Sequence, residues 1–171
     1  MTSITRTNQR NCLPCTACCE GWLDISEELV QAHVGQPCVN CSAQGCGIYE
    51  SRPVNPCRTF YCAWRQEGTP LVDSMRPDLS GVIVVMDRLT WRDQAVIVAI
   101  PTGEQIPEDS MKYLMGLSSL TDLNLLTVRF EKHNDKFSGA SKLSAYGDPQ
   151  FVTDMKHFCQ HGNPLSFLFR I

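Results

Sequence analysis

The sequence predicts an α+β fold in which a small cysteine-rich lobe packs on a small, mainly antiparallel sheet with helices. The chain has 171 residues, of which 43% are hydrophobic and 19% charged, which suits one compact core and argues against disorder. Nine of the ten cysteines stand before residue 63. The later sequence changes to β-branched runs and segments with helical periodicity. We therefore divide the chain into residues 1–66, the cysteine lobe, and residues 67–171, an α+β region that packs with it as one unit.

One helix is predicted within the cysteine lobe. Ser26 is a suitable N-cap, Glu27 and Glu28 suit the positive end of a helix, and Gly35 would end it. Its apolar contacts would be Leu29, Val30 and Val34. Prolines and glycines punctuate the rest of the lobe, so it has little core of its own and needs a staple.

Three strands are predicted in the α+β region. Val82–Met86 and Ala95–Ile100 are β-branched runs on either side of a polar stretch, which indicates paired strands joined by a long hairpin loop. Leu125–Phe130 has the same character and predicts a third strand.

Two helices accompany these strands. Pro107 would open the first, with one apolar face made of Met111, Leu114 and Met115. Asp148 is an N-cap followed by Pro149 at the first helical position, and Gly162 would end this second helix. Its apolar face would be Phe151, Val152, Met155 and Phe158.

Charge and hydropathy indicate where the protein resides. A formal charge of −3 and a pI near 5.8 argue against nucleic acid as a partner. The first ten residues lack the apolar stretch of a signal peptide, and the longest apolar runs fall far short of the roughly 20 residues that span a bilayer. We therefore expect a cytoplasmic protein without a membrane partner. In that reducing compartment, clustered cysteines indicate metal binding rather than disulfides or merely buried thiols.

The most informative motif is C-x2-C-x2-CC, formed by Cys12, Cys15, Cys18 and Cys19. A two-residue spacing lets the chain turn so that both sulfurs face one ion. Because neighbouring side chains generally point apart, we expect Cys18 and Cys19 to face two metals or two edges of one cluster. Further sulfurs come from Cys38, Cys41, Cys46, Cys57 and Cys62.

An all-sulfur site selects zinc, copper(I) or iron–sulfur over magnesium or calcium. Eight sulfurs fill two sites of four, and the spacing leaves their pairing open. Two zinc ions with eight thiolates would add about −4 to the charge of the chain, so positive side chains should lie nearby. Arg52, Arg58 and Arg65 are the candidates, with Arg58 first because it follows Cys57; otherwise they are ordinary surface residues.

The later cysteines strengthen this interpretation. The stretch Cys46-Gly-Ile-Tyr-Glu-Ser-Arg-Pro-Val-Asn-Pro-Cys57-Arg-Thr-Phe-Tyr-Cys62, together with the first motif and Cys38, resembles the CxxCxxCC cysteine-cluster family of zinc- or iron-chelating domains. The matching residues other than cysteine are Ile48, Tyr49, Arg52, Pro53, Arg58 and Phe60. One departure is that three residues, where the pattern has two, separate Pro53 from Cys57. The resemblance covers residues 12–62, under a third of the chain.

The resemblance implies which cysteines bind metal. Its eight positions correspond to Cys12, Cys15, Cys18, Cys19, Cys38, Cys46, Cys57 and Cys62. Cys41 stands where leucine is more usual, which implies a surplus, half-buried thiol.

The remaining cysteine and the histidines have simpler interpretations. Cys159 is expected to pack in the core on the last helix. His157 and His161 have a spacing that can share a metal, but no third ligand accompanies them. His33 would end the first helix, and His133 should be exposed.

The sequence carries no phosphate-binding loop, nucleophile elbow or zinc-protease motif, so we predict no catalytic residues and an enzyme is not favoured. The first hypothesis is a metal-binding protein in which zinc is structural or supports contact with an unknown protein partner. The second is an iron–sulfur protein with redox or methyl-transfer-related activity, since flagellin lysine methylases carry a similar cysteine motif. The third is metal storage or delivery. Zinc is favoured over iron because tetrahedral thiolate sites suit it.

Overall fold

The computed structural model describes residues 10–27, 30–161, 168, 170 and 171, and the side chains of these residues except 138–141. Glu28 and Leu29 of the predicted first helix, and Gly162 at the predicted end of the last one, lie outside the described residues.

A four-stranded sheet forms the centre of the α+β region. Its strands are β5 (Val82–Val85), β8 (Ile97–Pro101), β9 (Leu125–His133) and β10 (Lys136–Tyr146), in the spatial order β10-β9-β8-β5. The outer pairs, β5 with β8 and β9 with β10, are antiparallel, and β8 runs parallel to β9. The sheet and its helices confirm the predicted α+β class and the three predicted strands.

The loop between β5 and β8 contains its own hairpin, β6 (Thr90–Trp91) and β7 (Gln94–Ala95). Its two turn residues, Arg92 and Asp93, both have positive φ angles of 50° and 63°. That backbone matches the twist of a tight hairpin. The predicted long loop is thus partly ordered by pairing of its own.

Three helices pack with the sheet: α1 (Pro77–Ser80), α2 (Glu108–Thr121) and α3 (Pro149–Gln160). Helix α2 connects the parallel strands β8 and β9, which need a crossover of this kind. Helix α3 begins as predicted, because the Asp148 side chain accepts a 2.7 Å hydrogen bond from the Gln150 amide and Pro149 occupies the first turn.

The apolar faces of α2 and α3 are only partly as predicted. Leu114 of α2 and Phe151 of α3 are fully buried, and the other predicted members are half-buried apart from Met115. Met115 is 38% exposed, so its assignment to the buried face is wrong. It follows Leu114 directly, and a one-residue step turns a helical side chain away from the core.

The prediction of a helix at residues 26–34 is wrong. This segment forms a short antiparallel hairpin of β1 (Ile25–Ser26) and β2 (Gln31–Ala32). Ile25 lies opposite Ala32, and both are buried. The paired strands therefore place these two apolar side chains together in the interior. A second hairpin in the lobe joins β3 (Cys41–Ser42) to β4 (Gly45–Cys46).

Four short helical turns occur in the lobe and just after it, at Ala17–Cys19, Val54–Arg58, Ala63–Arg65 and Asp73–Met75. Ala17, Leu23 and Trp64 belong to the same buried cluster as the sheet residues, so the lobe rests on the sheet. Ile25, Val30, Ala32 and Cys38 form a smaller cluster inside the lobe. Among the helices of the described residues, none has the length and apolar character to cross a membrane.

Candidate metal centre

All ten cysteines are free thiols, and nine of them lie in the cysteine lobe. A cavity of about 100 Å³ opens between its turns. The thiols that line it are those of Cys12, Cys15, Cys18, Cys19, Cys46, Cys57 and Cys62. The rest of the wall is largely apolar and includes the charged side chain of Arg52. Its apolar members are the aromatic residues Tyr49, Phe60 and Trp64 and the aliphatic residues Leu13, Ile25, Pro56, Pro77 and Ile171.

Four cysteines form what we call the first group: Cys12, Cys15, Cys18 and Cys62. The Cys15 amide donates a 2.6 Å hydrogen bond to the Cys12 carbonyl, which closes the first C-x2-C turn. Burial raises the pKa of the Cys18 thiol well above its ordinary value, and the nearby thiols of Cys62, Cys19, Cys15 and Cys12 raise it further. Cys18 therefore lies close to the other three members.

Backbone contacts assemble the second group, which comprises Cys19, Cys38, Cys41, Cys46 and Cys57. The Cys38 amide donates to the Cys19 carbonyl at 2.8 Å, and the Cys41 amide donates to the Cys38 carbonyl at 2.9 Å. Cys41 then pairs directly with Cys46 across the β3–β4 hairpin. Burial raises the pKa of Cys19 to about 12, with further contributions from the thiols of Cys41, Cys46, Cys38 and Cys57.

Apolar packing divides seven of the nine lobe cysteines in the same way, and Cys12 and Cys46 belong to neither cluster. Cys15, Cys18 and Cys62 belong to the large cluster that includes the sheet. In contrast, Cys19, Cys38, Cys41 and Cys57 belong to the small cluster inside the lobe. The adjacent residues Cys18 and Cys19 thus pack against different apolar clusters, although both thiols line the same cavity.

Backbone N–H groups face two sulfurs of the first group. Burial raises the pKa of Cys15 to about 11, against the opposing effect of hydrogen bonds from the Ala17 and Asp78 amides. Burial also raises the pKa of Cys62, where the Arg65 and Trp64 amides oppose the rise. Such donors stabilise a thiolate more than a thiol, so they offset part of the rise in the pKa of these two sulfurs without reversing it.

Two of the three candidate arginines lie near a thiol. The guanidinium of Arg52 sits 3.7 Å from the ring centre of Tyr49, and its charge opposes the rise in the pKa of Cys57 that burial causes. The charge of Arg65 acts on Cys62 in the same sense. Arg58, expected to be the best placed, instead donates hydrogen bonds of 2.8 and 2.7 Å to the carbonyls of Arg52 and Glu50. It holds the loop that carries Arg52.

The thiols are gathered without converging on a point. Within the described ranges, no three histidine, cysteine, aspartate or glutamate side chains stand in positions that could hold a metal ion. The chemistry of the donors fits zinc or iron, since every candidate ligand is a soft sulfur. Metal binding would therefore require the sulfurs to rotate toward a common centre.

The cysteine and histidine of the last helix do not add a site. Cys159 is exposed, so its assignment to the core is wrong; it lies one residue beyond half-buried Phe158. The rings of His157 and His161 are 4.0 Å apart, and Nδ1 of His161 lies 2.8 Å from the carbonyl oxygen of His157. That contact occupies one ring nitrogen.

The other two histidines lie on the surface. His33 is not at a helix end but pairs with Asp24, with 2.5 Å between Nδ1 and Oδ1. His133 is exposed, as predicted.

Two residues near the thiols could not be found by sequence reasoning. Asp78 lies close to Cys15, where its amide lowers the pKa of the thiol and its carboxylate charge raises it. The sequence has no signal for this contact, because it arises only when the chain folds back. Trp64 is 7% exposed and lines the cavity, and its indole N–H is buried without a partner among the described residues. The sequence showed a tryptophan two residues after Cys62, but a single aromatic residue does not indicate a site.

None of the known protein-family models matches this chain, and no curated protein or solved structure is similar enough to count as a relative.

Proposed function

We propose that this is a metal-binding protein whose lobe holds two zinc or iron ions, one in each group of cysteines. The role of the metal is structural, or it shapes a surface that contacts a protein partner. The ligands are the eight cysteines that the CxxCxxCC resemblance selects. They are Cys12, Cys15, Cys18 and Cys62 in the first group, and Cys19, Cys38, Cys46 and Cys57 in the second.

The observation that carries this proposal is the division of the thiols into two groups. The charge interactions among the thiols support this division, and the two apolar clusters support it for every proposed ligand except Cys12 and Cys46, which belong to neither cluster. A core that merely used cysteine as a small apolar residue would not need backbone N–H groups aimed at its sulfurs. These donors and the nearby charge of Arg52 partly offset the rise in the thiol pKa values that burial causes, and a bound ion would itself deprotonate the thiols.

Zinc is the first choice, and it would act through folding. A closed site of four thiolates leaves no open position for a substrate, so it supplies stability rather than catalysis. The β1–β2 and β3–β4 hairpins have strands of only two residues, so the lobe gains from a staple. Reduced thiols throughout the lobe suit a reducing compartment such as the cytoplasm.

An iron–sulfur cluster is the second candidate. The same amide donors to sulfur and the aromatic wall of the cavity are features that tune such clusters. This version extends to redox or methyl-transfer-related activity, through the likeness to the motif of flagellin lysine methylases.

The deciding experiment is elemental analysis of protein purified without oxygen, with a visible spectrum of the same sample. Two zinc ions per chain and no colour would support the structural zinc version. Iron together with sulfide, and visible absorption at about 400 nm, would support the iron–sulfur cluster. Less than one metal ion per chain, after reconstitution with zinc and with iron, would overturn the proposal.

A further inference from the structure

The second group contains one thiol more than a tetrahedral ion uses. Five cysteines, Cys19, Cys38, Cys41, Cys46 and Cys57, interact there, whereas zinc in a closed site takes four ligands. The surplus member by resemblance is Cys41. The position of Cys41 bears on whether this thiol takes part in metal binding.

Cys41 is held against two of the proposed ligands. Its amide donates to the carbonyl of Cys38 at 2.9 Å, and it is the cross-strand partner of Cys46. Residues directly opposite each other in an antiparallel pair have Cβ atoms about 4.5–5.5 Å apart. The Cys41 and Cys46 side chains therefore lie beside each other on one face of the hairpin.

Cys41 also stands toward solvent. It is half-buried, and the next residues of its hairpin, Ser42 and Gln44, are exposed. It is not among the thiols that line the cavity, whereas Cys46 is. Cys38, whose carbonyl accepts the hydrogen bond from the Cys41 amide, is only 6% exposed, and its sulfur accepts a hydrogen bond from the Asn40 side chain at 3.9 Å. Cys19, Cys46 and Cys57 are half-buried as well, but they line the cavity, so Cys41 is the member of the group that is half-buried outside the cavity.

The first group is built differently. Its four thiols supply one ion with no ligand to spare, and Cys62 is 7% exposed beneath the helical turn that follows it. Among the described residues, the thiols that act on Cys18 include no fifth member apart from Cys19, which belongs to the other group.

We propose that Cys41 is an exchange ligand through which the ion of the second group enters and leaves. The inference rests on the proposed function. Cys41 loses its thiol proton to solvent as it binds the ion, and the cysteine that it displaces takes up a proton. The second group is therefore labile while the first retains its ion.

Release of zinc from the loaded full-length chain to a colorimetric chelator tests this directly. We expect two equal phases, a fast one from the second group and a slow one from the first. In Cys41→Ser and Cys41→Ala the protein should still hold two ions, but the fast phase should be lost. Cys159→Ser removes an exposed thiol outside both groups and should leave both phases unchanged.

Three results would overturn the inference while leaving the proposed function intact. They are a single phase in the unsubstituted protein, unchanged phases in both Cys41 variants, or one ion fewer in those variants, which would make Cys41 a permanent ligand. A wild-type chain that binds no ions would instead overturn the proposed function itself.

Alkylation of the unsubstituted zinc-loaded protein gives a test that does not depend on the folding of a variant. Cys159 should react first and Cys41 second, with the other eight thiols protected, as read by peptide mass mapping. Protection of Cys41 equal to that of Cys38 would contradict the exchange role.

Discussion

The amide of Cys38 donates a 2.8 Å hydrogen bond to the carbonyl of Cys19, which joins two distant parts of the lobe at its second group of thiols. Cys18, one residue earlier, interacts with Cys19 itself and with thiols of the first group, those of Cys12, Cys15 and Cys62. These contacts assign the two adjacent residues, Cys18 and Cys19, to different groups of thiols. Metal content is the property that should follow from this partition.

Double substitutions test whether each group holds one ion. Cys18→Ser combined with Cys62→Ser should lose one ion in total, because both changes affect the first group. Cys18→Ser combined with Cys38→Ser should lose two, because the changes fall in different groups. The measurement is metal content per chain after desalting.

Equal losses in these two double variants would contradict the partition. Cys159→Ser is the matched control, since the change is chemically the same and lies outside both groups.

Removal of metal should loosen the lobe and spare the sheet. The lobe hairpins are short, whereas every residue of β5 and β8 is buried and β9 buries its first four residues. Hydrogen exchange of the chelated protein should therefore speed up in residues 12–66 and stay slow in β8 and β9. A lobe that keeps its protection without metal would argue against a structural ion.

The stability of the metal-free protein should fall in alkali. The folded pKa of Cys15 is about 11 against an ordinary 9.0, and that of Cys19 is about 12, in each case chiefly through burial. A raised pKa in the folded state means that these thiols stabilise the fold fully below pH 9.0 and lose that contribution as pH rises through their folded values.

Thermal melts of metal-free protein between about pH 8 and 11 measure this effect. The melting temperature should decline across that range, and the metal-bound protein should decline less because its thiols are already ionised. A flat profile in the metal-free protein would show that the thiols are not buried as described.

Arg52→Gln should weaken the ion of the second group. Arg52 lines the cavity and its charge favours the thiolate of Cys57, so losing it should reduce affinity roughly tenfold. Competition with a chelator of known affinity measures the change. Arg129→Gln is the control, because it removes the same charge at a site away from the thiols. Arg129 lies in β9 and forms an exposed ion pair with Glu104 at 2.8 Å.

Periodicity was sufficient for the α+β region because its strands are continuous buried runs and its helices have clear starts. It was insufficient for β10, whose sequence is mostly small and polar. Pairing with β9 creates that strand, through a turn in which Asn134 and Asp135 have φ angles of 51° and 60°. Such Asn-Asp pairs tolerate left-handed backbone, so the turn was a usable signal.

Periodicity failed in the cysteine lobe, where it predicted a helix in place of the β1–β2 hairpin. Val30 and Val34 match a helical spacing, but Ile25 and Ala32 are buried together by strand pairing that only the fold reveals. The cysteine positions themselves needed no helix or strand, because ligand spacing reflects turns. The charge of Arg52 acts on Cys57, whereas Arg58 binds the backbone carbonyls of Arg52 and Glu50, and only the folded loop shows this difference.

The hydrogen bond from the Asp78 amide to Cys15 bears on modularity. Asp78 lies in α1, beyond the cysteine lobe and just before the sheet begins. A fragment cut after residue 66 would keep all nine clustered cysteines, yet it would lose a donor to its first group and uncover Leu23 and Trp64. The ligand spacing alone is therefore not transferable: inserted into another protein, it would bring the cysteines but not the backbone amides that contact their sulfurs.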